Sequence, residues 1–480
     1  MLLIFISFLF TFSREIPPTD SFEVHTKVAS DTLTSDSLRL VMIGEIYISG
    51  NKRTKEQIIL RELEFKRGDT VRVWKLEEVL IKDRNKLYNT RLFNIVRVYS
   101  TISNMGIADI HVELEERWYL FPLLIFDLAD PNFNIWWRQR NGDLNRIEYG
   151  LRFNQKNFRG RNEELRATVQ IGFTKRYELL YSIPYIDRSQ KNGIRFFASY
   201  ATNNNIYYKT REHILQPFEL ENRVRERLRG GVKWTHRQAF YTTHGLESNF
   251  YYTQVEDTVA KINPNYFGDG KTSQRYFSLR YDFRYDYRDI ISYPLKGSIV
   301  VFSVEKLGFT KYEDLDQWDF TADYIKYSDL GSGFYLANQA KGRFSFPKIQ
   351  PYYNLRGLGL RQDYVRGYDL NVIEGQGYFL TKNTLRKRII KGSLNFEKLL
   401  RWTQFNKVPF AIYLKSYFDL GYVHNEMNYP ENQRYINKLL PGGGFGVDIV
   451  TFYDLVLRIE GSMNKEGKSF LFFNIKADIY

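Results

Sequence analysis

The chain contains no cysteine. Disulfides, thiolate chemistry and cysteine–zinc sites are therefore excluded, as is a lipid anchor of the kind attached to an N-terminal cysteine. After the first residues, no run approaches the roughly 18 apolar residues that a membrane helix needs, and the mean hydropathy is negative. Strands that alternate in hydrophobicity escape that test. The six histidines, His25, His111, His213, His236, His244 and His424, show no metal-ligand spacing. There is no Gly-x-Ser-x-Gly elbow and no phosphate-binding loop. Asp286, Arg288 and Asp289 invite an acid/base reading, but no pKa-tuned partner accompanies them, and an ion network at a strand-end turn is the plainer one. Neither catalysis nor a cofactor nor a metal is expected.

What is abundant points elsewhere. Aromatic residues make up 17% of the 480 positions, with 36 Tyr and 37 Phe, an excess that suits aromatic girdles at two membrane interfaces. The net charge is +14, yet the 69 Lys and Arg are spread along the chain and interleaved with 55 Asp and Glu. No basic block stands out, so nucleic acid is not an expected partner, whereas anionic lipid head groups suit a basic, aromatic-rich surface. Residues 1–13, with Leu2, Leu3, Ile4, Phe5, Ile6, Phe8, Leu9 and Phe10, read as the apolar part of a secretory signal. Residues 14–40 are rich in Ser, Thr, Asp and Pro and read as a flexible linker.

Residues 41–117 have the pattern of a small α/β unit. Ile46 and Ile48 alternate in a strand stopped by Gly50-Asn51. Thr54 and Gln57 have the spacing of a capping box, opening a helix with Ile58, Ile59 and Leu63 that ends near Gly68. Leu76, Val79, Leu80, Leu87 and Tyr88 share one face of a second helix. Val96 and Val98, then Ile110, Val112 and Leu114, alternate in two strands, giving the order β-α-α-β-β. From 118 to 480 no long helix is needed. Leu165, Ala167, Val169, Ile171 and Phe173 alternate with polar residues, and Phe410, Ile412, Leu414 and Phe418 oppose Tyr413, Lys415, Tyr417 and Asp419. Period two places each apolar set on one face, as in a wall with lipid outside and water inside. At about 22 residues per strand and turn, this length makes about sixteen strands. The first is expected near Leu120–Asp127 and the last from Ser469 to Ile479, with Leu471, Phe473, Ile475, Ala477 and Ile479 outward.

Several motifs punctuate these strands. Val365-Arg366-Gly367-Tyr368 sits between two long alternating blocks; Asp286, Arg288 and Asp289 lie upstream with Pro294 and Gly297, and Phe418-Asp419-Leu420-Gly421 lies downstream. In that order and spacing they resemble the BamA/TamA family of outer-membrane assembly barrels, the bacterial surface-antigen superfamily. Asn157-Phe158-Arg159-Gly160-Arg161 and Pro184-Tyr185 fit the same resemblance, and the 41–117 unit looks like one POTRA domain.

The resemblance implies a closed antiparallel transmembrane barrel of about sixteen strands in the bacterial outer membrane, with its POTRA domain in the periplasm. It implies insertion or folding of other barrel proteins without an enzymatic step, with unfolded outer-membrane clients, outer-membrane lipids and periplasmic or lipoprotein partners at the POTRA domain. A long loop would fold into the lumen and dock its tip, Val365 to Tyr368, on acidic wall residues; alternation puts Asp419 there. Arg366 suits the task because its planar fork binds a carboxylate bidentately. Where the family commonly places a glutamate before Leu385-Arg386, this chain has Thr384, and its terminal Tyr480 falls out of phase with the outward set. Two other roles use the same folds: a translocation pore of the two-partner secretion type, and a passive channel or lipid-handling barrel.

Overall fold

The computed structural model describes residues 39–128, 136–138, 140–359, 363–395, 407–427, 430–451 and 455–476. The expected signal, the expected linker up to residue 38, Tyr480 and the last residues of the expected final strand lie outside them; Leu40, the last residue of the expected linker, already opens the first strand.

The N-terminal unit is a four-stranded sheet in the order β2-β1-β4-β3, built from β1 (Leu40–Ser49), β2 (Thr70–Arg72), β3 (Phe93–Ile102) and β4 (Ile107–Glu116). Helices α1 (Glu56–Leu60) and α2 (Val73–Asn89) cover one face. Their apolar stripes, Ile58 and Ile59 with Leu76, Val79, Leu80 and Leu87, bury against Val41, Ile43, Ile110 and Val112. On the open face Tyr47, His111 and Tyr99 stack across three strands, with centroids 5.2 and 5.0 Å apart.

Two local expectations are corrected. The capping box does not form: Lys55 is the N-cap, without a side-chain cap bond. The Thr54 hydroxyl instead donates to Glu116 at 2.6 Å, and the backbone N–H groups of Arg53 and Thr54 converge on the same carboxylate. A charged acceptor outcompetes a neutral cap. Helix α1 is therefore one short turn and stops well before Gly68. The short strand β2, missing from the β-α-α-β-β reading, pairs with β1 over three residues, too few for periodicity to register.

The rest is a sixteen-stranded antiparallel sheet. Its strands are β5 (Leu120–Leu128), β6 (Ile147–Phe158), β7 (Glu163–Gly172), β8 (Thr174–Ile183), β9 (Asn192–Asn203), β12 (Arg225–Ala239), β13 (Thr242–Val255), β14 (Ser273–Asp286), β15 (Gly297–Leu307), β16 (Gln317–Gly331), β17 (Phe334–Phe346), β18 (Gly377–Asn395), β19 (Lys407–His424), β20 (Leu439–Thr451), β21 (Val456–Asn464) and β22 (Ser469–Lys476). A separate hairpin, β10 (Asn205–Arg211) with β11 (Ile214–Glu219), lies between β9 and β12. A short helix α3 (Asp257–Ile262) follows β13.

Period two decides which side chains meet lipid. Val169 and Ile171 are exposed on β7 while Thr168 and Gln170 are buried; Leu414 and Phe418 are exposed on β19 while Lys415, Tyr417 and Asp419 are buried. Leu471 and Phe473 are exposed on β22, as the alternation predicts. Phe173 leaves the outward set because β7 ends at Gly172 and Phe173 turns into β8.

The two ends of the barrel differ. Tight turns at one end abut the N-terminal unit. Lys55 N–H donates to the Gly160 carbonyl at 3.0 Å, and Arg61 donates to the Gln190 carbonyl at 2.5 Å. Arg237 grips Glu62 with two bonds of 2.6 and 2.8 Å. The Asn157 amide donates to Thr54 at 2.8 Å. Thus Asn157, Gly160 and the turn after Pro184 serve the junction with the N-terminal unit. The opposite end carries the long connections, including 204–224, 256–272, 347–376 and 425–438.

Candidate functional site: a loop tip seated in the lumen

The loop 347–376 folds back into the barrel. Leu358 and Ile373 pinch its neck with reciprocal backbone bonds of 2.9 and 2.8 Å. Its tip closes a turn through Tyr368 N–H to the Val365 carbonyl at 2.9 Å. Gly367 has φ +99°, and a Cβ there would lie 2.9 Å from the Met463 backbone, so both conformation and space call for glycine. Val365 and Tyr368 are buried with Leu358, Ile373, Tyr378, Leu380, Val423, Tyr435 and Leu440. Beside this apolar cluster the tip carries a buried cation.

That cation is Arg366. Its Nη2 and Nε donate to the two Asp419 oxygens at 2.6 and 2.8 Å, and its own backbone N–H reaches Oδ2 at 3.2 Å. The guanidinium lies 3.8 Å over the Tyr417 ring. Thr384 accepts a further bond at 3.1 Å. Glu460 on β21 stands 3.5 Å from Nη1 and is a second carboxylate at the tip. Lys415 joins Glu460 at 2.9 Å and also bonds Asp448. Asp448 in turn accepts from the Tyr293 hydroxyl at 2.9 Å.

Tyr293 belongs to the β14–β15 turn, which carries the other motif. Arg288 clasps Asp286 with bonds of 2.7 and 2.6 Å, and Arg284 adds a third at 2.7 Å. Asp289 accepts the Leu295 N–H at 3.1 Å, closing the turn. The Pro294 carbonyl accepts from Arg386 at 3.1 Å, and Gly297 has φ +100° with the Tyr287 carbonyl 1.9 Å from any added Cβ. On its outer side the turn holds Asn89 of α2, which donates to the Asp289 carbonyl at 2.8 Å and accepts the Ile291 N–H at 2.9 Å. A cavity of about 500 Å³ separates α2 and the barrel turns beside this contact, lined in part by Lys86, Arg237, Tyr241, Arg284 and Asp289.

The structure thus brings Arg366 and Asp419 together and leaves Asp286, Arg288, Asp289, Pro294 and Gly297 at the opposite end of the lumen. A chain of polar contacts links the two. Sequence reasoning missed Glu460, Lys415, Asp448 and Tyr293. One signal was available: Pro441-Gly442-Gly443-Gly444 on β20 marks a backbone approach, and a Cβ at Gly442 would lie 1.9 Å from the Arg366 carbonyl. These groups pair charges and hold backbone.

His213 and Asp83 are among the strongly shifted ionisable groups outside the wall strands. His213, at the β10–β11 tip, is buried against Tyr435 and accepts its N–H through Nε2 at 3.1 Å. Desolvation lowers its pKa to about 4. Asp83 on α2 is pushed up to about 6 by burial, despite an ion pair with Lys86 at 2.7 Å.

Comparison with known proteins agrees with this architecture. The family described as Omp85 superfamily domain matches residues 157–450, and the POTRA family, described as surface antigen variable number repeat, matches residues 41–117. Among solved structures, BamA from Haemophilus ducreyi lacking POTRA domains 1-3 is 14% identical, with 91% of this chain and 83% of that chain covered and a TM-score of 0.49. CdiB from Escherichia coli is 10% identical, covering 95% of this chain and 92% of that one, also with a TM-score of 0.49. CdiB from Acinetobacter baumannii is 13% identical over 91% and 74% of the two chains, with a TM-score of 0.47. No curated protein matches the chain. Its sixteen-stranded wall and N-terminal α/β unit are those of a bacterial outer-membrane barrel with one POTRA domain, and the chain belongs to the Omp85 superfamily.

Proposed function

We propose that this protein helps fold or insert other β-barrel proteins into the outer membrane, with the POTRA domain in the periplasm. The observation that carries the reading is the uneven height of the wall. Strands β18 and β19 have 19 and 18 residues, whereas β21, beside the last strand of the sheet, has 9. A nine-residue strand tilted near 45° spans roughly 21 Å, below the apolar band of about 25 Å. A short wall thins the bilayer beside it at a modest cost per ångström, and a client strand can add at such a place by β-augmentation. The ten-residue β3, at the edge of the POTRA sheet, would receive extended clients in the same way. No enzymatic step is needed.

A passive channel fits less well, because the loop tip is packed and bonded against the inner wall. A translocation pore would first have to withdraw Arg366 from Asp419 and Glu460. The experiment is outer-membrane proteomics after depletion in the host. Loss of many barrels is expected for a broad assembly role, and loss of one or two for a dedicated one. An unchanged barrel complement, with only an exported soluble protein retained inside, would overturn the reading in favour of translocation.

A further inference from the structure

The lumen wall is electrostatically lopsided. On the β14–β21 side four cations have carboxylate partners, Arg280 with Asp282 at 2.7 Å, Arg343 with Asp319 at 2.8 Å, Lys341 with Asp363 at 2.5 Å, and Arg366 with Asp419, while Arg386 donates to the Pro294 carbonyl. On the β8–β12 side three arginines have no carboxylate partner among the described residues. Leu179 on β8 and Leu228 and Val232 on β12 are exposed to the outside, so Arg176, Arg225 and Arg227 face the lumen by alternation. Register places them together: Arg176 lies opposite Ala201 and Ala201 opposite Arg227, while Thr174 lies opposite Asn203 and Asn203 opposite Arg225. Ala201, which lies between Arg176 and Arg227 in the register, is small and buried.

The protein groups that meet them are neutral. Arg176 donates to Gln170 at 2.7 Å. Arg225 donates to Asn203 at 3.2 Å and to the Tyr266 hydroxyl at 3.4 Å, and Arg227 reaches the same Asn203 oxygen at 3.4 Å. The Nε–H of each of the three is buried and donates to no protein atom. Among the described residues no carboxylate lies within 4.0 Å of any of them. Three like charges gathered in a low-dielectric wall repel one another and leave donors unused, which is costly unless an anion joins them. Above them, at the end with the long connections, Tyr266 packs against Tyr352 and Tyr353 at 5.9 and 5.7 Å and roofs the cluster.

We propose that Arg176, Arg225 and Arg227 form a binding site for a phosphate-class oxyanion on the lumen wall. Guanidinium forks match tetrahedral oxyanions with paired bonds, and a doubly charged phosphate balances the cluster better than a halide does. The phosphate could arrive as a free ion or on a phosphorylated glycan such as the core of lipopolysaccharide; the recognising chemistry is the same. This site lies apart from the loop-tip anchor and does not depend on the insertion reading.

The test uses the purified full-length protein folded in detergent, with inorganic phosphate and chloride compared at equal ionic strength. Thermal unfolding should shift upward saturably with phosphate and not with chloride, and the phosphorus resonance should broaden on adding protein. Arg225→Gln with Arg227→Gln should weaken binding at least ten-fold, and Arg176→Gln, on a different strand, should do so independently if the double variant fails to fold. Deacylated, phosphorylated core oligosaccharide is the second arm: tighter binding than inorganic phosphate identifies the glycan, and equal binding identifies the free ion. Equal effects of phosphate and chloride, or full phosphate binding by the folded variants, would overturn the proposal.

Discussion

Arg366 carries the largest single electrostatic commitment at the loop tip. It is buried and bonded to a fully buried carboxylate, so removing it leaves Asp419 without its main counter-charge. Breaking such a pair typically costs about 3–5 kcal/mol. Arg366→Ala should therefore lower the temperature at which the folded barrel converts to the slow-migrating form on semi-native gels. Arg366→Lys should recover only part of the loss, because an ammonium cannot span Asp419, Thr384 and Glu460 together. An unchanged profile for Arg366→Ala would contradict the pinning role. His213 gives a second residue-scale expectation. Its pKa in the folded state lies below that of a free histidine, so the packing of the β10–β11 tip against Tyr435 is favoured with the imidazole neutral. That contribution is complete above about pH 6.5 and is lost as the pH falls toward about 4. Hydrogen exchange of the β10–β11 hairpin should quicken across that window, and His213→Phe should remove the pH dependence.

At the scale of elements, the wall strands were the most legible part of the sequence. Leu165 to Ile171 and Phe410 to Asp419 alternate because one face meets lipid and the other water, and the structure keeps that alternation in β7 and β19. Asp419 could be placed in the lumen by the same parity. What sequence could not show was which distant strand faces the loop tip. Glu460 lies 94 residues from Arg366, and only the register of β19, β20 and β21 brings it there. The capping box failed for a related reason: Glu116, far along the chain, offers Thr54 a stronger acceptor than its own helix does. Short-range spacing is overridden wherever a charge arrives through tertiary structure. The β14–β15 turn yields an element-scale expectation. Asn89→Ala removes both bonds between α2 and the turn. Spin-label distances between α2 and the turn should broaden, while the strand content stays unchanged. If the distribution stays as narrow as in the wild type, Arg237–Glu62 and Arg61–Gln190 suffice to fix the POTRA domain.

At the scale of the molecule, the POTRA domain and the loop tip are joined by one polar route: Asn89 to the turn, Tyr293 to Asp448, Lys415 to Glu460, and Glu460 to Arg366. Such a route gives the two ends a physical means of sensing each other, and Tyr293→Phe tests it by removing one hydroxyl inside the chain. The central claim, however, is that the end of the wall beside the short β21 admits client strands. Because the natural chain lacks cysteine, a single engineered pair, one residue in β5 and one in β22, can form a reversible lock without competing thiols. The deciding measurement is the rate at which an unfolded barrel client inserts into liposomes containing this protein, with the pair oxidised and then reduced. The account expects insertion several-fold faster than in protein-free liposomes, lost when the pair is locked and restored by reductant. Insertion at the same accelerated rate with the lock closed would contradict it.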